Sequence, residues 1–219
     1  NSRNTELIQL NARIEMQQLM AQMNPHFLYN TLEIIRSFLS FDPDTSEQLI
    51  VSLTEILRYS VDASRQEVRL AEDMEYINKY LNIQRCRFGE RFHCEIEMDP
   101  ACGSCLVPKL LIQPLIENSI KYGFRKKMEI CIRIEGHIER GILCIRVSDD
   151  GVGFDPEQPP QDGKEHVGLQ LVRGRLQMVC GAKLTTQSKI GQGTLMRVLI
   201  PYSCDETAGS FTQTKAPSH

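Results

Sequence analysis

The sequence lacks an excess of basic residues, a long apolar run and an internal repeat. Its 25 lysines and arginines are outnumbered by 28 acidic residues, for a net charge of -3, which argues against the basic stripe of a nucleic-acid-binding protein. No apolar run approaches the roughly 18 residues of a membrane span, and no signal-peptide pattern is present. The 219 residues, 41% of them hydrophobic, can form a core in one or two domains.

Eight cysteines are spread along the chain, which is too long to need disulfide staples. A Cys-x-x-Cys pair, Cys102 and Cys105, lies near Cys86 and Cys94 and could in principle hold zinc. No second Cys-x-x-Cys follows, and Cys94 falls at a core position of a predicted strand. We therefore interpret the cysteines as reduced thiols in preference to a metal site.

The first part of the chain has helical periodicity. Residues 4–23 carry apolar residues at approximately heptad spacing, which is typical of a coiled-coil connector. Pro25 interrupts this pattern beside His26, and the pattern resumes to Leu39. Further helices are predicted over about 46–60, capped by Asp44, Thr45 or Ser46, and over about 70–87. Their large apolar stripes favour a homodimer with a four-helix bundle.

From Arg91 the period changes to two, which predicts strands. We expect strands over 91–99, 130–134, 142–150, 183–189 and 194–202, with a turn from Gly136 to Gly141. Helices are expected over 107–123 and 167–181. The predicted fold class is α+β: a helical-hairpin dimerisation domain (1–88), a two-layer α/β sandwich with its helices on one sheet face (89–203) and a disordered tail (204–219).

The stretch VSDDGVGF ends one of these strands. Strand alternation places Asp149 on the apolar face and Asp150 on the other. A carboxylate at the mouth of an apolar pocket can accept a hydrogen bond from an exocyclic amine such as that of adenine, and Gly151 and Gly153 let the backbone approach a ligand closely. Taken alone, the stretch is more typical of an Asp-Gly turn with solvated acids.

Three further stretches suit a phosphorylated ligand. In IENSIKYG, Asn118, Lys121 and Tyr122 share a helix face, and an amide, an ammonium and a phenol suit Mg²⁺ and phosphates. The alternative is an ordinary surface with a Glu117–Lys121 pair. Glycines also recur in HVGL and KIGQGT, where backbone N–H groups can bind phosphate.

The order of these motifs resembles the nucleotide-binding domain shared by histidine kinases and gyrase-type ATPases. ENSIKYG is similar to the family's N box, DDGVG to its G1 box, HVGL to its G2 region and GQGT to its last glycine motif. The resemblance implies ATP and Mg²⁺ as cofactors, with Asn118 as Mg²⁺ ligand, Asp149 as adenine partner and a lid over 154–167. The other implied nucleotide-binding residues are Lys121, Tyr122, Gly151, Gly153, Gly168, Leu169, Gly191, Gly193 and Thr194.

Together with NPHFLYNTL, these motifs resemble the LytS/YesM-type sensor histidine kinases over about residues 15–201. This resemblance implies autophosphorylation of His26, assisted by Asn30, and transfer to an aspartate of a response regulator. Imidazole suits the role, since its unperturbed pKa near 6.5 leaves it mostly an uncharged nucleophile at neutral pH. The family also implies the cytoplasmic portion of a cell-membrane sensor, with membrane contact only through a preceding sensor region.

Three positions depart from the family pattern. Pro114 stands where ATP-hydrolysing relatives carry a glutamate, Phe27 where many histidine kinases carry an acid, and His166 where the G2 region often begins with glycine. Glu117 is an acid beside the site and a further candidate catalytic residue. The alternatives to an active kinase are a degenerate ATP-binding dimeric scaffold and a gyrase-like ATPase. The missing glutamate and the NPHF helix disfavour the gyrase-like ATPase.

Overall fold

A computed structural model describes residues 25–62, 64–124, 127–155, 176 and 182–201. Three helices come first: α1 (Pro25–Phe38), α2 (Pro43–Val61) and α3 (Leu70–Phe88). The expected connector (4–23) lies outside the described residues, so a helix interrupted at Pro25 stays a prediction. The three helices pack against one another and bury an apolar stripe from each, which includes Phe27, Ile35, Leu49, Leu53, Ile56, Ile77 and Leu81.

Helix α2 begins three residues earlier than predicted. Its N-cap is Asp42, whose carboxylate accepts hydrogen bonds from the N–H of Thr45 at 3.1 Å and its hydroxyl at 2.6 Å. Pro43 opens the helix, where a missing N–H costs nothing. The prediction of Asp44, Thr45 or Ser46 as the cap is therefore wrong; Ser46 is buried and donates to the carbonyl of Ile35 at 3.0 Å.

The rest of the described chain forms two sheets. Short strands β1 (Glu67–Arg69) and β3 (Leu106–Pro108) pair with each other. A five-stranded sheet has the order β2-β4-β5-β7-β6, parallel between β2 and β4 and antiparallel elsewhere. Its strands are β2 (Phe92–Met98), β4 (Ile130–Glu139), β5 (Ile142–Asp149), β6 (Lys183–Lys189) and β7 (Gly193–Pro201).

Helix α4 (Gln113–Gly123) packs on β4, β5 and β7, and α3 packs on β2. The strand residues that face these helices are apolar and buried, such as Ile132, Ile145 and Val198. The opposite face is polar, and there Arg133 on β4 pairs with Glu95 on β2 at 2.7 Å. Helices on one face of a mostly antiparallel sheet make the α+β fold that the sequence predicts.

Two elements differ from the expected boundaries. Helix α4 starts at Gln113 and not at 107, because the preceding residues form β3 and Leu110 has a positive φ of 59°. Strand β4 continues through Gly136 to Glu139, so the turn is shorter than expected. Arg140 and Gly141 form it with φ values of 50° and 75°, the backbone of a tight two-residue hairpin.

Helix α3 ends where the sequence predicts a domain boundary. Gly89, with a φ of 59°, follows its last residue, and a short 3-10 turn leads into β2. The boundary at 88 stays a prediction, and the β1–β3 pairing joins residues on either side of it. Over the described residues, no helix has the length and apolar character to cross a membrane.

The cysteine thiols Cys102 and Cys105 are both buried, and Cys94 packs against the core. Burial raises the pKa of Cys94 to about 11. Among the residues that the structure describes, no group of three or more histidine, cysteine or acidic side chains is placed to hold a metal ion.

Candidate functional site

The predicted site centres on Asp149, the last residue of β5. Strand alternation points its side chain inward, as expected, and the carboxylate is half-buried. The Ser119 hydroxyl on α4 donates to Oδ2 at 2.7 Å, and the N–H of Gly151 donates to Oδ1 at 3.0 Å. Burial raises the pKa of Asp149, and these two hydrogen bonds, with one from the N–H of Thr194, oppose the rise. The carboxylate is thus held in place with lone pairs left for a further donor.

Asp150 points the other way, to the exposed side of the sheet. Its carboxylate accepts from the N–H of Cys131 at 2.9 Å and lies 3.3 Å from the Lys127 ammonium. The alternation read from the sequence therefore separates the two aspartates correctly: Asp150 supports the strand end, and Asp149 faces the helix layer.

The glycines beside Asp149 permit close backbone contacts. A Cβ on Gly151 would lie 2.6 Å from the Cα of Gly123, so the loop after β5 could not approach the end of α4 with a larger residue. Gly193 has a φ of 84°, and a Cβ there would overlap the carbonyl oxygen of Asp149. Both positions require glycine for steric reasons.

The turn between β6 and β7 packs on the loop after β5. The N–H of Gly191 donates to the carbonyl of Val152 at 2.7 Å. Ser188 joins the two segments: its hydroxyl accepts from the N–H of Phe154 at 2.9 Å and lies 3.0 Å from the hydroxyl of Thr194. The structure therefore brings the DDGVG and GQGT motifs to one edge of the sheet, with Gly153 in the loop between Val152 and Phe154.

Helix α4 lies beside this edge and carries the N-box residues. Asn118 is half-buried, and its Nδ2 donates to the carbonyl of Pro114 at 2.9 Å. This bond turns the amide oxygen away from the helix backbone, where it can act as a ligand. Lys121 is exposed, with its Nζ 5.0 Å from the ring centre of Tyr122. Glu117 accepts a hydrogen bond from Gln113 at 2.8 Å.

His26 lies on α1 and is exposed. Its Nδ1 is 3.0 Å from the amide nitrogen of Asn30, one helical turn on. The next residue, Phe27, is 6% exposed, and its ring lies 4.9 Å from that of Tyr80 on α3. Phe27 therefore anchors this end of α1 to α3 and leaves the imidazole in solvent.

Three predicted features of the nucleotide site lie outside the described residues: Gly168, Leu169 and the lid over 154–167 beyond Asp155, which includes His166. The predicted helix over 167–181, apart from Leu176, and the predicted tail over 204–219 lie outside them too. Sequence reasoning missed two serines, Ser119 and Ser188, that hold the site together. Ser119 could have been found, because it is a polar residue on the otherwise apolar buried face of α4.

Family models and known proteins match most of this chain. A model described as "Histidine kinase" matches residues 14–92, and one described as "Histidine kinase-, DNA gyrase B-, and HSP90-like ATPase" matches residues 107–203. The sensor histidine kinase YesM of Bacillus subtilis is 35% identical over 85% of this chain and 33% of its own length. The sensor protein kinase HptS of Staphylococcus aureus is 30% identical over 87% of this chain and 39% of its own.

The chain thus spans between a third and two fifths of the length of these relatives. Among solved structures, the histidine kinase domain of the Erythrobacter litoralis EL346 blue-light activated histidine kinase superposes with a TM-score of 0.51. The match covers 86% of this chain and 93% of that domain at 20% identity, which supports a shared fold.

Proposed function

Because this chain belongs to the histidine kinase family, we propose that it transfers the γ-phosphoryl group of ATP to His26 and then to an aspartate of a response regulator. The observation that carries the proposal is the Ser119–Asp149 hydrogen bond. It joins the N-box helix to the glycine loops, and the adjacent residue on that helix is Asn118.

ATP would bind at the edge of the sheet with its adenine amine on Asp149. The carboxylate accepts that donor, and Ser119 and Gly151 hold it in orientation. The glycine loops, Thr194, Lys121 and Tyr122 would contact the sugar and phosphates. Gly168 and Leu169, which lie outside the described residues, are assigned to the nucleotide only by the family resemblance.

A magnesium ion fits the chemistry of Asn118, whose amide oxygen is presented because its Nδ2 is bonded to Pro114. Bound there, Mg²⁺ would neutralise phosphate charge. Lys121, exposed one turn further along α4, would add a positive charge on the same helix face. Glu117, fixed by Gln113, stays a candidate acid beside the phosphates.

In the reaction, a lone pair of the His26 imidazole forms a bond to the γ-phosphorus. The bond from that phosphorus to the β–γ bridging oxygen breaks, and its electron pair leaves with ADP. An amide can face the ring with either end. When the Asn30 amide oxygen faces the ring, it accepts a hydrogen bond from a protonated Nδ1 of His26. The lone pair is then on Nε2, the outer nitrogen, which attacks.

The partner surface lies on the first two helices. Tyr29 is 70% exposed and Val51 is 52% exposed, and Leu32 and Ile50 are also exposed. We propose that a second copy covers these side chains in a four-helix bundle, and that the phosphorylated His26 donates to a separate response regulator. Membrane attachment would come from a sensor region outside this chain.

The test is transfer of labelled γ-phosphate from Mg·ATP to the purified chain, beside His26→Gln and Asn118→Ala, with the exposed His93→Gln as matched control. The proposal predicts an acid-labile, base-stable label on wild type and the control, and no label on the other two variants. Proven ATP binding with no label on wild type would favour a degenerate scaffold.

A further inference from the structure

The segment that leads into α4 is held by a carboxylate from a different helix. Leu110 is not a glycine, yet its φ is 59°, a conformation that persists where the surroundings fix it. The carboxylate is Asp73 on α3, whose Oδ1 accepts from the N–H of Leu110 at 2.8 Å. The cap residue of α4, Ile112, offers no side-chain hydrogen bond of its own, and Asp73 instead holds the backbone of the segment just before the helix.

Asp73 is fully buried. Burial raises the pKa of its carboxyl, and the N–H groups of Leu110, Ile112 and Leu111, with the Tyr59 hydroxyl, act in the opposite direction. The hydrogen bonds to this carboxyl from the N–H of Leu110 and the hydroxyl of Tyr59 both go to Oδ1, and Oδ2 is buried without a hydrogen-bond partner among the described residues. Asp73 therefore couples α3 to the segment before α4, because moving either element removes the bond from Leu110 to Oδ1 and leaves a buried carboxyl short of a hydrogen-bond partner.

The same carboxylate also contacts α2. The Tyr59 hydroxyl donates to Oδ1 of Asp73 at 3.2 Å. Lys109, buried to 4% side-chain exposure, lies 3.6 Å from the Asp62 carboxylate and 4.4 Å from the centre of the Tyr59 ring. Its ammonium also donates to the carbonyl of Asp62, the residue that ends α2. We name Tyr59, Asp62, Asp73 and Lys109 the α2–α4 junction.

A second contact continues along α4 toward the site. The Tyr76 hydroxyl on α3 donates to Oε1 of Gln113 at 2.5 Å, and Nε2 of Gln113 donates to Glu117 at 2.8 Å. Asn118 is the next residue. It lies five residues, or about 7.5 Å along the axis, from Gln113, so a change at the start of this short helix is carried directly to Asn118.

We propose that Asp73 is a positioning residue for the nucleotide site, and that the α2–α4 junction couples the end of α2 to the placement of Asn118. This inference rests on the proposed function in that the nucleotide is ATP. The junction does not touch the nucleotide; it sets where α4 starts and how it is oriented. Movement of α2 relative to α3 therefore changes ATP affinity.

The test compares ATP affinity in Asp73→Asn, Tyr59→Phe and Lys109→Met, by displacement of a fluorescent ATP analogue with Mg·ATP. Each titration is made well below the unfolding midpoint of its variant. We expect Asp73→Asn to raise the Kd by roughly tenfold, the lower end of the loss that follows when a residue orienting a ligand-binding group is removed. Tyr59→Phe and Lys109→Met should raise it less, in the same direction.

The matched control is Asp42→Asn, which changes an aspartate whose carboxylate caps α2 by hydrogen bonds to Thr45. If Asp73 only stabilised the fold, its replacement would lower the unfolding midpoint and leave the Kd for ATP unchanged. The control variant should show that behaviour. A Kd within twofold of wild type in folded Asp73→Asn overturns the inference. If that variant does not fold, unchanged Kd values in both Tyr59→Phe and Lys109→Met overturn it.

The two proposals fail differently. A wild-type chain that binds no ATP overturns the proposed function, and this inference with it. A wild type that binds ATP, with junction variants that bind equally well, overturns the inference alone.

Discussion

Replacing Ser119 by alanine tests the hydrogen bond on which the nucleotide site is built. The change removes the donor 2.7 Å from Oδ2 of Asp149 and leaves the N–H of Gly151 on Oδ1. Because burial raises the pKa of Asp149 and the Ser119 hydroxyl opposes that rise, the variant should raise the pKa further. Less of the charged carboxylate is then present to accept the adenine amine.

The magnitude follows from the strength of a hydrogen bond to a charged group, about 1.5–3 kcal/mol. Water can replace the hydroxyl at a half-buried carboxylate, so the lower end applies. A loss of about 1.4 kcal/mol corresponds to roughly tenfold weaker ATP binding, reached when the pH is below the folded pKa of Asp149; the difference is smaller at neutral pH. ATP affinity is lost as the pH falls through the folded pKa of Asp149, and in the variant this loss should begin at a higher pH.

The free energy of unfolding should change with pH in the direction opposite to ATP affinity. A carboxyl whose folded pKa is raised binds its proton more tightly in the folded state, so the free energy of unfolding falls as the pH rises from 3.8 through the folded pKa.

The assay for the affinity prediction is ATP titration between pH 5 and 8, with Ser46→Ala as control, since Ser46 is a buried helical serine away from α4. Superimposable affinity curves for Ser119→Ala and wild type would refute this reasoning.

Three further outcomes are expected. Phe27→Ala should lower the free energy of unfolding in urea by about 3–5 kcal/mol, because the ring is buried against Tyr80. In Asp42→Ala the loss of stability should shrink as the pH falls below 3.8, because the Thr45 hydroxyl and N–H lower the pKa of Asp42, so the cap is present above 3.8 and disappears below it. Gly193→Ala should weaken ATP binding, because its methyl group overlaps the Asp149 carbonyl.

Each of these has a contradicting result. Phe27→Ala with an unchanged urea midpoint would mean that the ring does not anchor α1. A constant stability difference between wild type and Asp42→Ala from pH 7 to pH 2 would contradict a charged cap. Wild-type ATP affinity in Gly193→Ala would place the glycine turn away from the nucleotide.

The parts of the fold that follow from periodicity were predictable. Helix α3 and strands β2, β5 and β6 lie within a residue or two of their predicted bounds, because each is a regular pattern of buried and exposed side chains. The inward placement of Asp149 was predictable for the same reason.

The boundaries set by local backbone geometry were harder to predict. The run from Val107 to Ile112 is apolar apart from Lys109 and is continuous with α4, so periodicity cannot separate strand from helix there. Pro114 in the first turn of the helix was an available signal. Gly136 resembled a turn residue, yet it lies inside β4 beneath Met98, where a Cβ would overlap the sulfur.

The contacts that join distant parts of the sequence could not be predicted from one sequence. Asp73 and Leu110 are far apart in the chain, and nothing local marks an aspartate on α3 as the partner of the segment before α4. The same holds for Ser119 and Asp149. Such pairs arise when helices and strands pack, a step that patterns within single elements do not describe.

The most direct test of the account is to locate the phosphoryl group on the chain. After incubation with Mg·ATP, digestion at neutral pH and tandem mass spectrometry would identify the modified residue. The account predicts one phosphoryl group on the imidazole of His26, absent from Asn118→Ala and Asp149→Ala. A phosphoryl group on a serine, threonine, tyrosine or another histidine, with His26 unmodified, would contradict it.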